Sequence, residues 1–366
     1  MSFSFLLKPV VSKLRQYIVC LFALLSIVPA VSQASRSAVI LQYHHVSDET
    51  PGITSVTPET FRKQINYLVE NEFNVMPLVD VVEALGHKKA LPERTVAITF
   101  DDAYLSIYTN AFPILREQGL PFTVFVSPTP VDKNYQKFLS WEQLLEMAEA
   151  GATLANHTME HAHSVERLPG ETEAQWLSRF SRDLEMTEAR IQEKSGQSVK
   201  MFAWTFGETT PELRVRLNEM GYIGFGQQSG AAGEYSDFTR LPRFPMAGIY
   251  GVNDFAVKVN SRALPVTSQT PDSSLITQDN LKPELELTLA SGDYQKKQLK
   301  CYASGQGELK VTWLNEEMTR FRTQANKPLP VGRTRYNCTA PSNSGRHYYW
   351  YSHAWLRLTD EGKALD

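Results

Sequence analysis

Two short stretches hold the residues best suited to chemistry: TFDDAY, Thr99 to Tyr104, and NHTMEH, Asn156 to His161. The first follows the apolar run Val96 to Ile98, which reads as a strand, so Asp101 and Asp102 stand where that strand ends and meets water. The second follows Ala152 to Ala155 and offers His157 and His161, four residues apart. That spacing lets both rings face one point from a helical turn or a tight loop. One aspartate with two histidines is a metal-binding set. Three protein ligands with coordination positions left open make a catalytic rather than a structural site, and nitrogen with one carboxylate suits zinc, with other divalent first-row ions as alternatives. Paired aspartates after a strand also cap helices, and histidines at this spacing also occur on ordinary helix surfaces. The metal reading gains because both groups end strands in an alternation of strands and helices, and reacting groups gather at the carboxyl ends of strands in parallel α/β folds.

That alternation runs through the first two thirds of the chain. Thr57 caps a helix with Pro58 in its first turn and Phe61, Ile65, Leu68 and Val69 on its apolar face. Tyr104 to Gln118 reads as the helix after the aspartate pair, stopped by Gly119, and Phe122 to Val126 as the next strand. Ser140 with Gln143 forms a capping box for a helix that Gly151 ends. Glu171 to Lys194 reads as an exposed helix with Trp176, Phe180 and Leu184 on its buried side. Strand Met201 to Trp204, helix Pro211 to Met220 and strand Tyr222 to Phe225 complete an α/β pattern.

The region from about Ala38 to Leu264 resembles the polysaccharide deacetylases of the NodB-homology type, carbohydrate esterase family 4. Thr99 to Asp102 matches the family's TFDD motif, and His157, Thr158 and His161 match its H-[ST]-x-x-H motif. The resemblance implies an irregular (β/α) barrel with fewer than eight strands, Asp101 as general base, and Asp102, His157 and His161 as ligands of a divalent metal. It also implies a backbone N–H near Tyr104 that supports an oxyanion. The stretch AVILQYHHV, Ala38 to Val46, resembles the opening of the branch that deacetylates poly-N-acetylglucosamine, which implies an active-site place for His44. His45, on the opposite face of a continuing strand, takes a structural or solvent role.

Two features depart from that pattern. The third family motif carries an arginine before Pro-Tyr or Pro-Phe, whereas MFAWTFGE, Met201 to Glu208, has none. Arg243 in LPRFPM can supply the missing charge from another strand, or can be an ordinary turn arginine between prolines. The late Leu-x-His segment that gives many members their general acid is not evident, which leaves His44 as the candidate acid. Among nearby aromatics Tyr104, Trp141, Trp204 and Phe206, Tyr104 is the expected sugar contact.

The chain has 366 residues, 42% of them hydrophobic and 21% charged, enough for two domains of ordinary globular material. Lys8, Lys13 and Arg15, the apolar run Tyr17 to Val28 and the small residues around Gln33 read as a signal peptide over residues 1–34, too short to span a membrane and closed by Pro29. Removing it shifts the formal charge from −3 to about −6 and suggests no nucleic-acid partner. Cys301 and Cys338 then remain and pair in an exported chain. Trp313 between them and Tyr336 two residues before the second cysteine are placed as in an immunoglobulin-like sandwich with a tyrosine corner. The expected organisation is therefore a catalytic domain over 35–264, a Ser/Thr/Pro-rich linker over 265–283 and an all-β immunoglobulin-like domain over 284–366. In that last part Tyr349, Trp350, Tyr351 and Trp355 offer a glycan-binding face, although alternate members must fill the core.

Together these features anticipate an exported, metal-dependent hydrolase that removes N-acetyl groups from an N-acetylglucosamine glycan, in the periplasm or outside the cell. It would have no membrane span after signal cleavage, and a cell-envelope partner would engage its C-terminal domain. Peptidoglycan deacetylation, O-acetyl xylan esterase activity, and an inactive glycan-binding protein are the alternatives.

Overall fold

Helix caps and strand alternation account for most of the architecture in a computed structural model, which describes residues 36–365. The expected signal peptide lies outside the described residues. Strand β1 (Ser37–Tyr43) is followed by helices α1 (Pro58–Glu70) and α2 (Leu78–Gly86) and by β2 (Thr95–Phe100). Next come α3 (Phe112–Glu117), β3 (Thr123–Val126), α4 (Trp141–Glu149) and β4 (Thr153–Asn156). Then α5 (Glu173–Ser195), β5 (Met201–Ala203), α6 (Pro211–Glu219) and β6 (Ile223–Phe225) complete the alternation. Thr57 caps α1, and capping boxes Ser140/Gln143 and Thr172/Gln175 start α4 and α5. The single helix expected over 104–118 is instead a π-type turn, Ile107–Ala111, leading into α3. Pro113 has no N–H to offer the carbonyl of Thr109, so regular pairing cannot run through it. Val69, expected on the buried face of α1, is exposed.

The six strands pair in chain order, each parallel to the next. After β6 the segment 241–245 bridges to Phe225 through Leu241 and pairs in parallel with Leu41 and Gln42 of β1 through Phe244 and Pro245. The sheet therefore curls and returns on itself. Val39, Leu41, Val96, Ile98 and Val124 face a core shared with Phe61 and Ile65 of α1 and Leu144 of α4. Ile40, Ala97, Phe125, Ala155, Met201 and Phe225 face the opposite way, in a cluster that includes Leu78 and Val81 of α2. The two-residue period carries that second face on to Gln42, Thr99, Asp101 and His157 at the carboxyl ends. Polar groups thus replace apolar ones in the last layer, and they are buried there.

Helix α7 (Val252–Val259) leads to an all-β region: β7 (Val266–Thr270), β8 (Glu284–Leu289), β9 (Lys300–Ala303), β10 (Gly307–Leu309), β11 (Arg320–Gln324), β12 (Gly332–Pro341) and β13 (Tyr348–Arg357). One sheet runs β13-β12-β9-β10, with Arg262–Ala263 added beyond β13; the other runs β7-β8-β11 to Thr312–Trp313. Leu285, Leu287, Phe321, Tyr336 and Trp355 fill the core of this region. The Tyr336 hydroxyl donates to Pro283 O at 2.9 Å and accepts from Ala325 N at 2.8 Å.

Two expectations about this region need correction. Cys301 and Cys338 are bonded, but they face each other on neighbouring strands β9 and β12 of one sheet, whereas the immunoglobulin pattern joins two sheets. The supposed linker over 265–283 contains β7, paired with β8, and Leu275, bridged to Leu356. A Ser/Thr-rich composition masked an edge strand whose outward side is solvated.

His353 on β13 is buried, and burial first, then the charge of Arg240, holds its pKa well below the usual value. The folded chain thus refuses a proton that the unfolded chain accepts below about pH 6.5, so this contribution is complete above that pH and declines as pH falls towards the folded value. Thermal unfolding from pH 7.5 to 5 should show stability falling more steeply in the wild type than in His353→Gln, by up to about 1.4 kcal/mol per pH unit. Parallel profiles would contradict this.

Candidate active site

The strand β2 ends in a carboxylate pair with separate environments. Asp101 is fully buried, and its backbone N–H donates to Tyr43 O at 2.9 Å. Arg243 grips its carboxylate with a two-pronged contact, Nη1 to Oδ1 at 2.7 Å and Nη2 to Oδ2 at 2.8 Å, and Gln42 Nε2 donates to Oδ2 at 2.7 Å. The guanidinium is itself placed by Nε donating to Gly226 O and Nη1 to Thr99 Oγ1, and it lies over the Phe125 ring. Burial pushes the Asp101 carboxyl up, but the Arg243 charge, with His157 nearby, outweighs it and leaves the pKa below the ordinary value. The curl explains the meeting: segment 241–245 fills the gap between β6 and β1, which aims Arg243 along the second face of the sheet.

Asp102 turns the other way. Its φ is +71° and that of Ala103 is +57°, a left-handed pair in residues that normally avoid it. Its Oδ1 lies 3.1 Å from His157 Nε2 and 3.0 Å from His161 Nε2. The two histidines come from a tight loop after β4, with Thr158 and His161 also left-handed. Asn156 Oδ1 accepts from Thr158 N, and Asp183 Oδ1 of α5 accepts from Met159 N, which fixes the loop.

The protonation pattern shows what this triad fits. His157 Nδ1 is 2.8 Å from Ala203 O, and a carbonyl only accepts, so the proton of a neutral ring sits on Nδ1. Nε2 then presents a lone pair to Asp102 Oδ1. Neither atom meets hydrogen-bond geometry, and both are buried. Electron-rich atoms pressed together without an intervening proton are relieved by a cation, and the three ligand atoms all lie within 4.8 Å of one another. The residues present fit a divalent metal with open positions, the type of set that makes a catalytic site.

His44 Nε2 stands 3.9 Å from Asp101 Oδ2, and its side chain is 18% exposed. His45 stacks on Tyr104 with ring centroids 3.7 Å apart, and burial lowers its pKa to about 4. It is therefore at the rim of the site, not on a separate face: the strand breaks at His44, so the alternation expected for His45 does not apply. Tyr104 pairs with Phe138 through hydrogen bonds made by Leu105 N and Leu139 N, which leaves the Tyr104 N–H outside that ladder. Trp204 is fully buried, stacked on Phe180 with Nε1 donating to Thr239 O, and is core and no sugar platform.

Three residues beside the site, His163, Glu208 and Arg333, carried no assignment in the sequence, and Phe206 was named only as an aromatic near the motifs. Phe206, at φ +57°, lies parallel to the His163 ring at 3.9 Å and edge-on to His161 at 4.6 Å. His163 Nδ1 is 2.7 Å from Glu208 Oε2, and Arg333 of β12 donates to Glu208 Oε1 at 2.8 Å. The all-β region therefore reaches a cluster that touches a metal-site ring. The only local signal was a third histidine at 163 and the glutamate ending MFAWTFGE; Arg333 carried none.

Residues 88–224 match the family model for polysaccharide deacetylase. The chain is 27% identical over 259 residues to the poly-beta-1,6-N-acetyl-D-glucosamine N-deacetylase of Escherichia coli K12, covering 60% of this chain and 38% of that protein. It is also 27% identical over 230 residues to the enzyme of that name from Staphylococcus epidermidis, covering 57% of this chain and 78% of the relative. The chain thus spans well under half the length of the Escherichia coli relative. In fold, the deacetylase PplD of Streptococcus pyogenes superposes with a TM-score of 0.56 at 18% identity, over 61% of this chain and 98% of that one. Residues 88–224 thus carry a polysaccharide deacetylase domain, and the relatives that share this region are named N-deacetylases.

Removing one partner of a buried ion pair strands the other. Arg243→Ala should cost about 3–5 kcal/mol in denaturant unfolding, and Arg243→Ala with Asp101→Asn less than the sum of the singles. Additive losses would show that the pair is not coupled. Arg333→Ala leaves the buried Glu208 carboxylate short of a donor and should cost about 1–3 kcal/mol.

Proposed function

We propose that this chain is an exported, zinc-dependent N-deacetylase acting on an N-acetylglucosamine polymer, with poly-β-1,6-N-acetylglucosamine as its leading substrate. The observation that carries the reading is the convergence of Asp102, His157 and His161 on one point with the ionised, arginine-held Asp101 beside it. The names of the relatives support the choice of polymer. The cysteine bond and the residues 1–34 support export, and no described helix is long and apolar enough to cross a membrane. In this reading residues 35–264 form the catalytic domain and the strands from Val266 onward an immunoglobulin-like domain, for which the two packed sheets and the Tyr336 hydroxyl bridge are the support.

When bound at Asp102, His157 and His161, a divalent cation supplies Lewis acidity, polarising the amide carbonyl and making water more acidic. Asp101 takes the proton of the attacking water. Being held below the ordinary carboxylate range, it is ionised at neutral pH, and Arg243 and Gln42 fix its orientation without occupying the cation side. The Tyr104 N–H, free of the Phe138 pairing, donates to the oxygen on which charge develops. The leaving amine needs a proton, and His44, close to Asp101 and partly open to solvent, delivers it. The Tyr104 ring and His45 stacked on it offer an apolar face to the pyranose ring.

Acetate release should be measured on poly-N-acetylglucosamine, chitooligosaccharides, peptidoglycan and acetylxylan. The first two should be turned over, and Asp101→Asn should lower kcat by about 10²–10⁴ while metal content stays unchanged. Chelation should abolish turnover and zinc restore it. Acetate from xylan alone, or none from any polymer after zinc addition, would defeat the proposal.

A further inference from the structure

A cavity of about 430 Å³ lies between the α/β part and the all-β region, within the volume range of small-molecule sites. Its walls include Ser37 and Gly233 from one side and Ser268, Gln269, Trp350 and Tyr351 from the other. Ser37 is at the amino end of β1, six residues from Tyr43, so this end lies roughly 20 Å from the reacting groups at about 3.3 Å per residue. The turn that carries Gly207 and Thr209, next to Phe206 beside His161, also lines it.

The chemistry of the lining is that of a sugar site. Tyr235, Tyr349, Trp350 and Tyr351 line it with aromatic rings, Ser268 with a neutral hydroxyl, and Gln228 and Gln269 with amides that are partly engaged, Gln228 Nε2 donating to Arg240 O at 2.6 Å and Gln269 Oε1 accepting from the Tyr351 hydroxyl. Charge does not suit an anion, because each lining arginine already has a carboxylate. Arg36 meets Glu234 at 3.0 Å, Arg240 meets Asp237 at 3.1 Å and Asp272 at 3.3 Å, and Arg262 meets Glu93 at 2.8 Å. A purely apolar ligand is equally unsuited to so polar a wall.

We propose that this cavity is a second glycan-binding site, separate from the reacting centre, that holds a neutral N-acetylhexosamine oligosaccharide. Aromatic rings stack on the C–H face of the sugar while the amide and hydroxyl side chains take its polar edge. The choice of N-acetylated sugar, though not the existence of the site, rests on the deacetylase reading. An enzyme acting on a polymer gains from a second foothold because the chain is then tethered near the site and the second contact becomes intramolecular.

The test is titration calorimetry of the full chain, stripped of metal to prevent turnover, with the N-acetylglucosamine tetramer. Two binding events are expected for the wild type and one for Ser268→Trp, in which an exposed position on β7 places an indole in the cavity mouth. Gln269→Ala, which removes an amide from the wall and releases the Tyr351 hydroxyl, should weaken the same event about tenfold. With zinc restored, Ser268→Trp should keep kcat on the short soluble oligomer and raise KM for the polymer. A single binding event in all three proteins, with polymer KM unchanged, overturns the cavity proposal and leaves the deacetylase reading intact. Binding that Ser268→Trp removes, in a protein that releases no acetate from any substrate, keeps the cavity and defeats the reading.

Discussion

Two carboxylates, adjacent in the chain and both buried, cannot stay ionised side by side unless each is neutralised from its own direction. That requirement organises the whole carboxyl end of the sheet. Asp101 is answered by a guanidinium that arrives from the segment closing the curl; Asp102 meets two imidazole nitrogens from the loop after β4, a set that a divalent cation between them would neutralise. The left-handed conformations of Asp102 and Ala103 are what point the two side chains apart. Strain of this kind persists only where surrounding contacts over-determine it, and here it turns one carboxylate towards Arg243 and the other towards two histidine rings.

Division of labour follows from that geometry. One oxygen pair is saturated by Arg243 and Gln42, which fixes orientation and keeps the charge. The other faces lone pairs that only a cation reconciles. Around both, the support is layered: the carbonyl of Ala203 sets the tautomer of His157, and Asn156 with Asp183 holds the loop. Phe206 leans on His161 and His163, and through Glu208 this packing continues to Arg333 in the all-β region. The C-terminal sheets are therefore bonded to the back of the metal-site loop, and the interface that forms there also encloses a large polar and aromatic cavity.

The motifs made much of this legible in one dimension. Local rules sufficed for the caps Thr57 and Ser140, for the order of strands and helices, and for the pairing of Cys301 with Cys338, because each depends on neighbours or on a count of two cysteines. They failed where a distant chain decides. Pro113 forbids a regular helix through 104–118, but nothing local specifies that a π-type turn takes its place. Trp204 stands among the aromatics near the motifs until Phe180 is seen stacked on it, and His45 appears to point away until the strand is seen to stop one residue earlier.

By itself the sequence determined the aspartate and histidine pairs, their place at strand ends, the α/β alternation and the deacetylase motifs, since these follow from residue identity and short spacing. Only the tertiary structure decided that Arg243 grips the Asp101 carboxylate, that the cysteines join strands within one sheet, and that Arg333 reaches Glu208 beside the site. These depend on how a curled sheet closes and on which surfaces two packed parts press together. Such contacts join residues far apart along the chain, so no local pattern encodes them.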